Sequence, residues 1–274
     1  MDDFRRTNLE CWQERAPAHA ASPDYQVDAL ATDPAFLSEV IRFDLPRLGP
    51  ITGLDVVHLQ CHIGTDTVSL AKLGGRVTGL DFSSAALDEA RRLATRAGLE
   101  VRFVESELYD APGVLGATYD LVYTGVGALN WLPDIARWAG VVAAVLRPGG
   151  RLHLREGHPV LWSLADPPSD GVLALGYPYF EVAEPLMFDE PGTYVQTDRE
   201  FAQNRTYEWN HGLGEIVTAL LEHGMRLTLL VEHDSVPWDA LPGLMDALPG
   251  GEFRLRDRPE RLPHSYTLQA VKPA

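Results

Sequence analysis

The chain has 274 residues, 45% of them hydrophobic and 23% charged, which is the balance of a soluble globular protein with enough chain for one large domain or two small ones. Its 23 basic and 39 acidic residues leave a net charge of −16. That argues against a nucleic-acid binder or a binder of anionic membranes, both of which rest on Lys and Arg meeting phosphates.

In chain order, the N-terminal Met-Asp-Asp-Phe-Arg-Arg has no apolar signal core behind it. The first fifty residues read as helical pieces, with Asp33-Pro34 as an N-cap and first-turn signal before Phe36, Leu37, Val40 and Ile41 at helical spacing. From 54 the rhythm changes. The sequence predicts strands over 54–59, 77–80, 101–104, 120–123 and 151–155. Between them it predicts helices over 65–73, from the Ser83-Ser84 cap to Gly98, and over 133–146. Alternation at such close intervals is the pattern of a parallel sheet covered on both faces. The nine-residue apolar run 138–146 is too short to span a bilayer. Residues 157–205, rich in prolines, aromatics and acids with no clean helix, read as a lid insertion. A helix over 213–221, strands over 226–231 and 265–271, and a Pro-rich connection over 236–263 complete the chain.

The expectation is a single domain, 1–274. It comprises an N-terminal helical cap (1–50), a ligand-binding core (54–156), the lid (157–205) and a C-terminal completion of the sheet (206–274). The fold class is α/β, a Rossmann-like doubly wound sheet, mostly parallel with an antiparallel C-terminal strand. Two cysteines, Cys11 and Cys61, make no disulfide framework and point to a reducing, cytoplasmic setting.

Ligands of such sheets sit beyond the carboxyl ends of the strands. There the first strand runs into His58-Leu59-Gln60-Cys61-His62-Ile63-Gly64-Thr65-Asp66-Thr67, a tight loop that opens a helix. Asp81 closes the next strand, 17 residues after Gly64, where an acid accepts hydrogen bonds from ribose hydroxyls. A dinucleotide needs small residues in this loop so that the backbone can approach a pyrophosphate. Gln60 and His62 stand there instead. A bulkier loop suits an adenosine ligand without phosphate, such as S-adenosylmethionine.

These residues resemble the class I S-adenosylmethionine-dependent methyltransferases, most closely a bacterial subgroup with this variant loop. The resemblance covers about 54–156 and extends to the C-terminal strands. It rests on the 58–67 loop, on Gly79-Leu80-Asp81-Phe82-Ser83, on Glu107-Leu108 after the third strand and on Leu-Arg-Pro-Gly-Gly at 146–150. His58 replaces the family's acid at the start of the loop, and Gln60 and His62 replace its first two glycines.

The resemblance implies S-adenosylmethionine as cofactor and methyl transfer to a small-molecule acceptor. It assigns the cofactor to Gln60, Cys61, His62, Gly64, Thr67, Asp81, Phe82, Ser106, Glu107, Leu108, Thr124 and Gly125. Trp12, Trp131, Tyr177 and Tyr179 are expected in the acceptor pocket. His158, His211 and His19 are candidate general bases, and the sequence chooses none of them; a base is needed only if the acceptor must lose a proton early. No metal, nucleic-acid or membrane partner is expected, and the oligomeric state is left open. A nucleotide-dependent oxidoreductase and a non-catalytic S-adenosylmethionine-binding module are the competing readings.

Overall fold

A computed structural model describes residues 1–165 and 172–274. Helices α1 (Asp3–Ala21), α2 (Val27–Thr32) and α3 (Glu39–Leu48) precede strand β1 (Asp55–Leu59). The chain then alternates through α4 (Thr65–Lys72), β2 (Arg76–Asp81), α5 (Ser84–Arg96), β3 (Arg102–Glu105), α6 (Ala111–Leu115), β4 (Tyr119–Thr124), α7 (Ile135–Val145) and β5 (Leu146–Gly157). After the short α8 (Pro159–Trp162) come β6 (Leu186–Asp189), β7 (Arg205–Glu208), α9 (Leu213–Glu222), β8 (Arg226–His233), β9 (Met245–Leu248), β10 (Glu252–Leu255) and β11 (Ser265–Val271).

Seven strands form one sheet in the order β3-β2-β1-β4-β5-β11-β8. β1 to β5 run parallel, and β11 is antiparallel to both β5 and β8. This is the Rossmann-like sheet with an antiparallel C-terminal strand that the alternating pattern predicts. β8, antiparallel to β11, points the same way as the first five strands.

Successive residues of each strand face opposite sides, which sorts the core into two layers. Val57, Leu59, Val122, Leu152, Leu154 and Leu268 pack with Trp138 and Val142 of α7 and Ile216 and Leu220 of α9. Val56, Val77 and Leu121 face the other way, onto Ile41 and Leu48 of α3 and Leu70 of α4. Each fully buried aliphatic side chain contributes about 1.5–3 kcal/mol.

Three expectations are corrected. Asp33-Pro34 does not start a helix: Asp33 ends α2, and α3 starts at Glu39, with the Ser38 hydroxyl accepting from Ile41 N. The ammonium of Lys72 donates to the carbonyls of Leu30, Asp33 and Phe36, which holds this segment as a turn. The Pro-rich 236–263 connection contains the β9–β10 hairpin. The 157–205 insertion contains α8, β6 and the start of β7, which extends past it; residues 166–171 of that stretch lie outside the described residues.

Strand order reverses between β1 and β4, and a crevice opens at their carboxyl ends. The loops that begin at Gln60 and Gly125 border it.

Candidate functional site

The loop after β1 retains a glycine-type backbone without the glycines. Gln60 and His62 adopt left-handed conformations at φ 55° and 49°, and Gly64 follows at 79°. Each non-glycine residue held there costs about 1–2 kcal/mol, so other contacts must hold it. The Gln60 amide donates to the Ala128 carbonyl at 2.9 Å. The backbone N–H of His62 donates to Asp81 Oδ2 at 2.8 Å, and its ring Nε2 meets His19 Nδ1 at 2.9 Å. At Gly64 a Cβ would lie 2.7 Å from the Cβ of Ala90, so the residue serves the approach of α4 to α5. Gly64 itself does not border the cavity.

Asp81 accepts from His62 N and from Ser83 N at 2.9 Å. Burial pushes its carboxyl up to about 6, against the pull of these amides and that of Phe82. A carboxylate offers about four acceptor positions, so room is left for a further donor. Glu107, after β3, receives Arg5 of α1 at 2.5 Å on Oε1 and Tyr109 N at 2.9 Å on Oε2. Gln13 of α1 accepts from Ser83 Oγ and Ala85 N. The N-terminal helix is thereby tied to the loops after both β2 and β3.

Gln60, Cys61, His62, Asp81, Phe82, Ser106, Glu107, Leu108 and Gly125 all border one cavity of about 1240 Å³. Trp12, Trp131 and Tyr177 border it too. Trp12 meets the rings of His62 and Trp131 edge-on at 5.2 Å. Tyr194 is 59% exposed, and it too lines this cavity. Its hydroxyl meets that of Tyr25 at 2.5 Å.

Several expected residues lie off the wall. Thr67 is buried beneath it and bonds His58 Nδ1 at 2.8 Å. Thr124 is fully buried in β4. The Tyr179 hydroxyl accepts from Leu213 N at 3.2 Å, at the start of α9.

None of the three candidate histidines borders the cavity. His158 caps α8 by accepting from Val160 N, and its Nε2 meets Glu232 at 2.9 Å. His211 is clamped between Glu181 at 2.8 Å and the carbonyls of Leu129 and Leu132. His19, in the last turn of α1, bridges His62 and Thr193 Oγ1. Burial drives its imidazole down to about 2, helped by His62 and Arg15. Cys11 and Cys61 are free and buried, and burial raises both thiols.

Sequence reasoning missed what Glu156 does. Its Oε1 accepts from Gly127 N at 2.5 Å and from Gly157 N at 2.7 Å. Its Oε2 accepts from Ala128 N at 2.8 Å and Leu129 N at 2.9 Å. This carboxylate, 3% exposed, shapes the loop after β4. The signal was present: an acid stands one residue before the end of β5, much as Asp81 ends β2. Asp66 and Glu208 on the wall were also missed. Among the described residues no group of three or more His, Cys, Asp or Glu is placed to hold a metal, and no helix is long and apolar enough to cross a membrane.

A family model described as a methyltransferase domain matches residues 57–152. A demethylmenaquinone methyltransferase of Lactococcus lactis is 34% identical over 122 residues, covering 43% of this chain and 48% of that protein. A ubiquinone biosynthesis O-methyltransferase of Vibrio parahaemolyticus is 30% identical over 112 residues, covering 41% and 47%. The chain thus spans about half the length of the curated relatives it matches. The structure of an S-adenosylmethionine-dependent methyltransferase from Mesorhizobium loti covers 85% of this chain and 98% of its own, with a TM-score of 0.56 at 20% identity, a likeness of fold. Residues 57–152 thus match a methyltransferase domain, and the fold is like that of an S-adenosylmethionine-dependent methyltransferase.

Proposed function

We propose that this chain transfers a methyl group from S-adenosylmethionine to a small-molecule acceptor. One observation carries the reading. The loop after β1, the acid after β2 and the acid after β3 open on a single cavity of about 1240 Å³. One drug-sized ligand needs ~300–1,000 Å³, so this volume suits a cofactor and an acceptor side by side.

The residues fit the cofactor. Asp81 keeps acceptor capacity for a ribose hydroxyl. Glu107 and Leu108 border the place for the adenine. Gln60 Oε1 is buried without a partner, an acceptor waiting for a donor such as the ammonium of the methionine tail. S-adenosylmethionine supplies an already activated methyl group on its sulfonium. The task left to the protein is alignment and exclusion of water, and such positioning is worth ~7–11 kcal/mol. Trp12, Trp131, Tyr177 and Tyr194 wall off the space beside the cofactor loop. The 1–50 segment and the 157–205 insertion act as its covers, 54–156 carries the cofactor, and 206–274 completes the sheet.

The acidic balance sets nucleic acid aside as a substrate, and the buried free thiols suit a cytoplasmic protein. The test is a screen of small metabolites with S-adenosylmethionine, reading S-adenosylhomocysteine release. Acceptor-dependent release is expected. Binding of the cofactor with no turnover across amines, phenols, thiols and carboxylates overturns catalysis and leaves a binding module.

A further inference from the structure

The cavity wall carries more negative charge than the cofactor explains. Beyond Asp81 and Glu107 it includes Asp66, Glu190 and Glu208, and its arginines are Arg5 and Arg15. Both arginines are committed. Arg5 pairs with Glu107 and Asp2, while Arg15 donates to the carbonyls of Gly192 and Gln203.

Glu208, at the end of β7, stands out. No ion pair among the described residues reaches it. Its Oε2 accepts from Asn130 Nδ2 at 3.0 Å and its Oε1 from Thr206 Oγ1 at a long 3.5 Å, both neutral donors, and Glu190 adds a second negative charge nearby. Burial raises its carboxyl, as expected where no cation answers it. Beside it Asn130 is 8% exposed and lines the same wall, and its Oδ1 has no partner. A carboxylate and an orphaned carbonyl oxygen together call for a ligand that brings several N–H donors and a positive charge. The indole of Trp131, next in sequence to Asn130, lines this wall with that of Trp12, and aromatic faces attract cations. A neutral acceptor would bring no positive charge to Glu208, and an anionic one would be repelled by it.

We propose that the acceptor is an amine, bound as its ammonium ion by Glu208 and Asn130 Oδ1 against the tryptophan-lined wall. This rests on the methyltransferase reading and narrows it to an acceptor class. For reaction, the ammonium gives one proton to the Glu208 carboxylate. The freed lone pair on nitrogen forms the N–C bond to the methyl carbon, and the electron pair of the breaking C–S bond stays on sulfur.

The test is calorimetric binding of three isosteric probes to the whole chain, with and without S-adenosylhomocysteine: phenethylamine (a cation at neutral pH), phenethyl alcohol (neutral) and phenylacetate (an anion). The amine is expected to bind tighter than the alcohol by about ten-fold or more, the return of one charge-assisted hydrogen bond, and phenylacetate weakest. Glu208→Gln is expected to bring amine and alcohol within about two-fold of each other, with the affinity for S-adenosylhomocysteine unchanged. Equal binding of the three probes by the unaltered chain overturns the proposal, and so does an amine preference that survives Glu208→Gln. If that variant does not fold, the ranking on the unaltered chain decides alone. Failure of S-adenosylhomocysteine to bind strikes the methyltransferase reading instead, because the probe ranking is also measured without it.

Discussion

Glu156→Gln probes the positioning of the loop after β4 with one atom changed. The carboxylate accepts four backbone N–H groups, two on each oxygen. Turning one oxygen into NH₂ places a donor against two donors. Each stranded N–H in a buried site costs about 1–3 kcal/mol. Part of this is offset, because burial disfavours the charge itself and raises the carboxyl above its ordinary value. The net expectation is a loss of about 2–4 kcal/mol, or roughly 5–12 °C in Tm for a chain of this size. The loop also supplies the Ala128 carbonyl that holds Gln60, so affinity for S-adenosylmethionine should fall as well. Scanning calorimetry with a cofactor titration checks both. A Tm within about 1 °C of the parent, which corresponds to less than ~0.5 kcal/mol, together with unchanged affinity would refute the reasoning that this carboxylate builds the loop.

Three further outcomes follow from the same geometry. Asp81→Ala should weaken S-adenosylmethionine binding by ~1–3 kcal/mol, the cost of unmet polar groups; unchanged affinity in a titration removes the ribose assignment. Gly64→Ala should cost about 2–5 kcal/mol from left-handed strain and overpacking against Ala90, seen as a lower urea midpoint. The third outcome concerns pH. Asp66 and Asp81 have folded values near 6, raised from 3.8, so between those limits the folded chain holds more protons than the unfolded one. Their contribution to stability is therefore present below about pH 4 and lost as pH rises through 6. Asp66→Asn should gain on the parent chain across that window in urea titrations at stepped pH. A gap that does not change with pH would contradict it.

Much of the sheet was legible because β1 to β5 alternate with helices whose buried residues recur every three or four positions, as Leu87, Ala90, Leu93 and Ala94 do in α5. The full length of α1 was not. Its buried residues include Asn8, Arg15 and His19, and it docks largely through hydrogen bonds and ring contacts, so it has no apolar stripe to read. The β9–β10 hairpin was hidden by the prolines and glycines around its strands. At the site, Asp81 and the loop were visible because strand-end acids and tight turns leave local signatures. The histidines were not, because whether an imidazole meets a cavity or a carbonyl depends on elements far away in sequence. His211 shows this: its partners Leu129, Leu132 and Glu181 lie 30 or more residues upstream. Glu208 reaches Asn130 across 78 residues, beyond any local pattern.

The claim beneath the rest is that a nucleoside without a diphosphate rests at the ends of β1, β2 and β3. Parallel calorimetric titrations of the ligand-free chain with S-adenosylmethionine and with NADH test it most directly. One-to-one binding of S-adenosylmethionine and no heat from NADH is the predicted result. Saturable NADH binding with none for S-adenosylmethionine would contradict it.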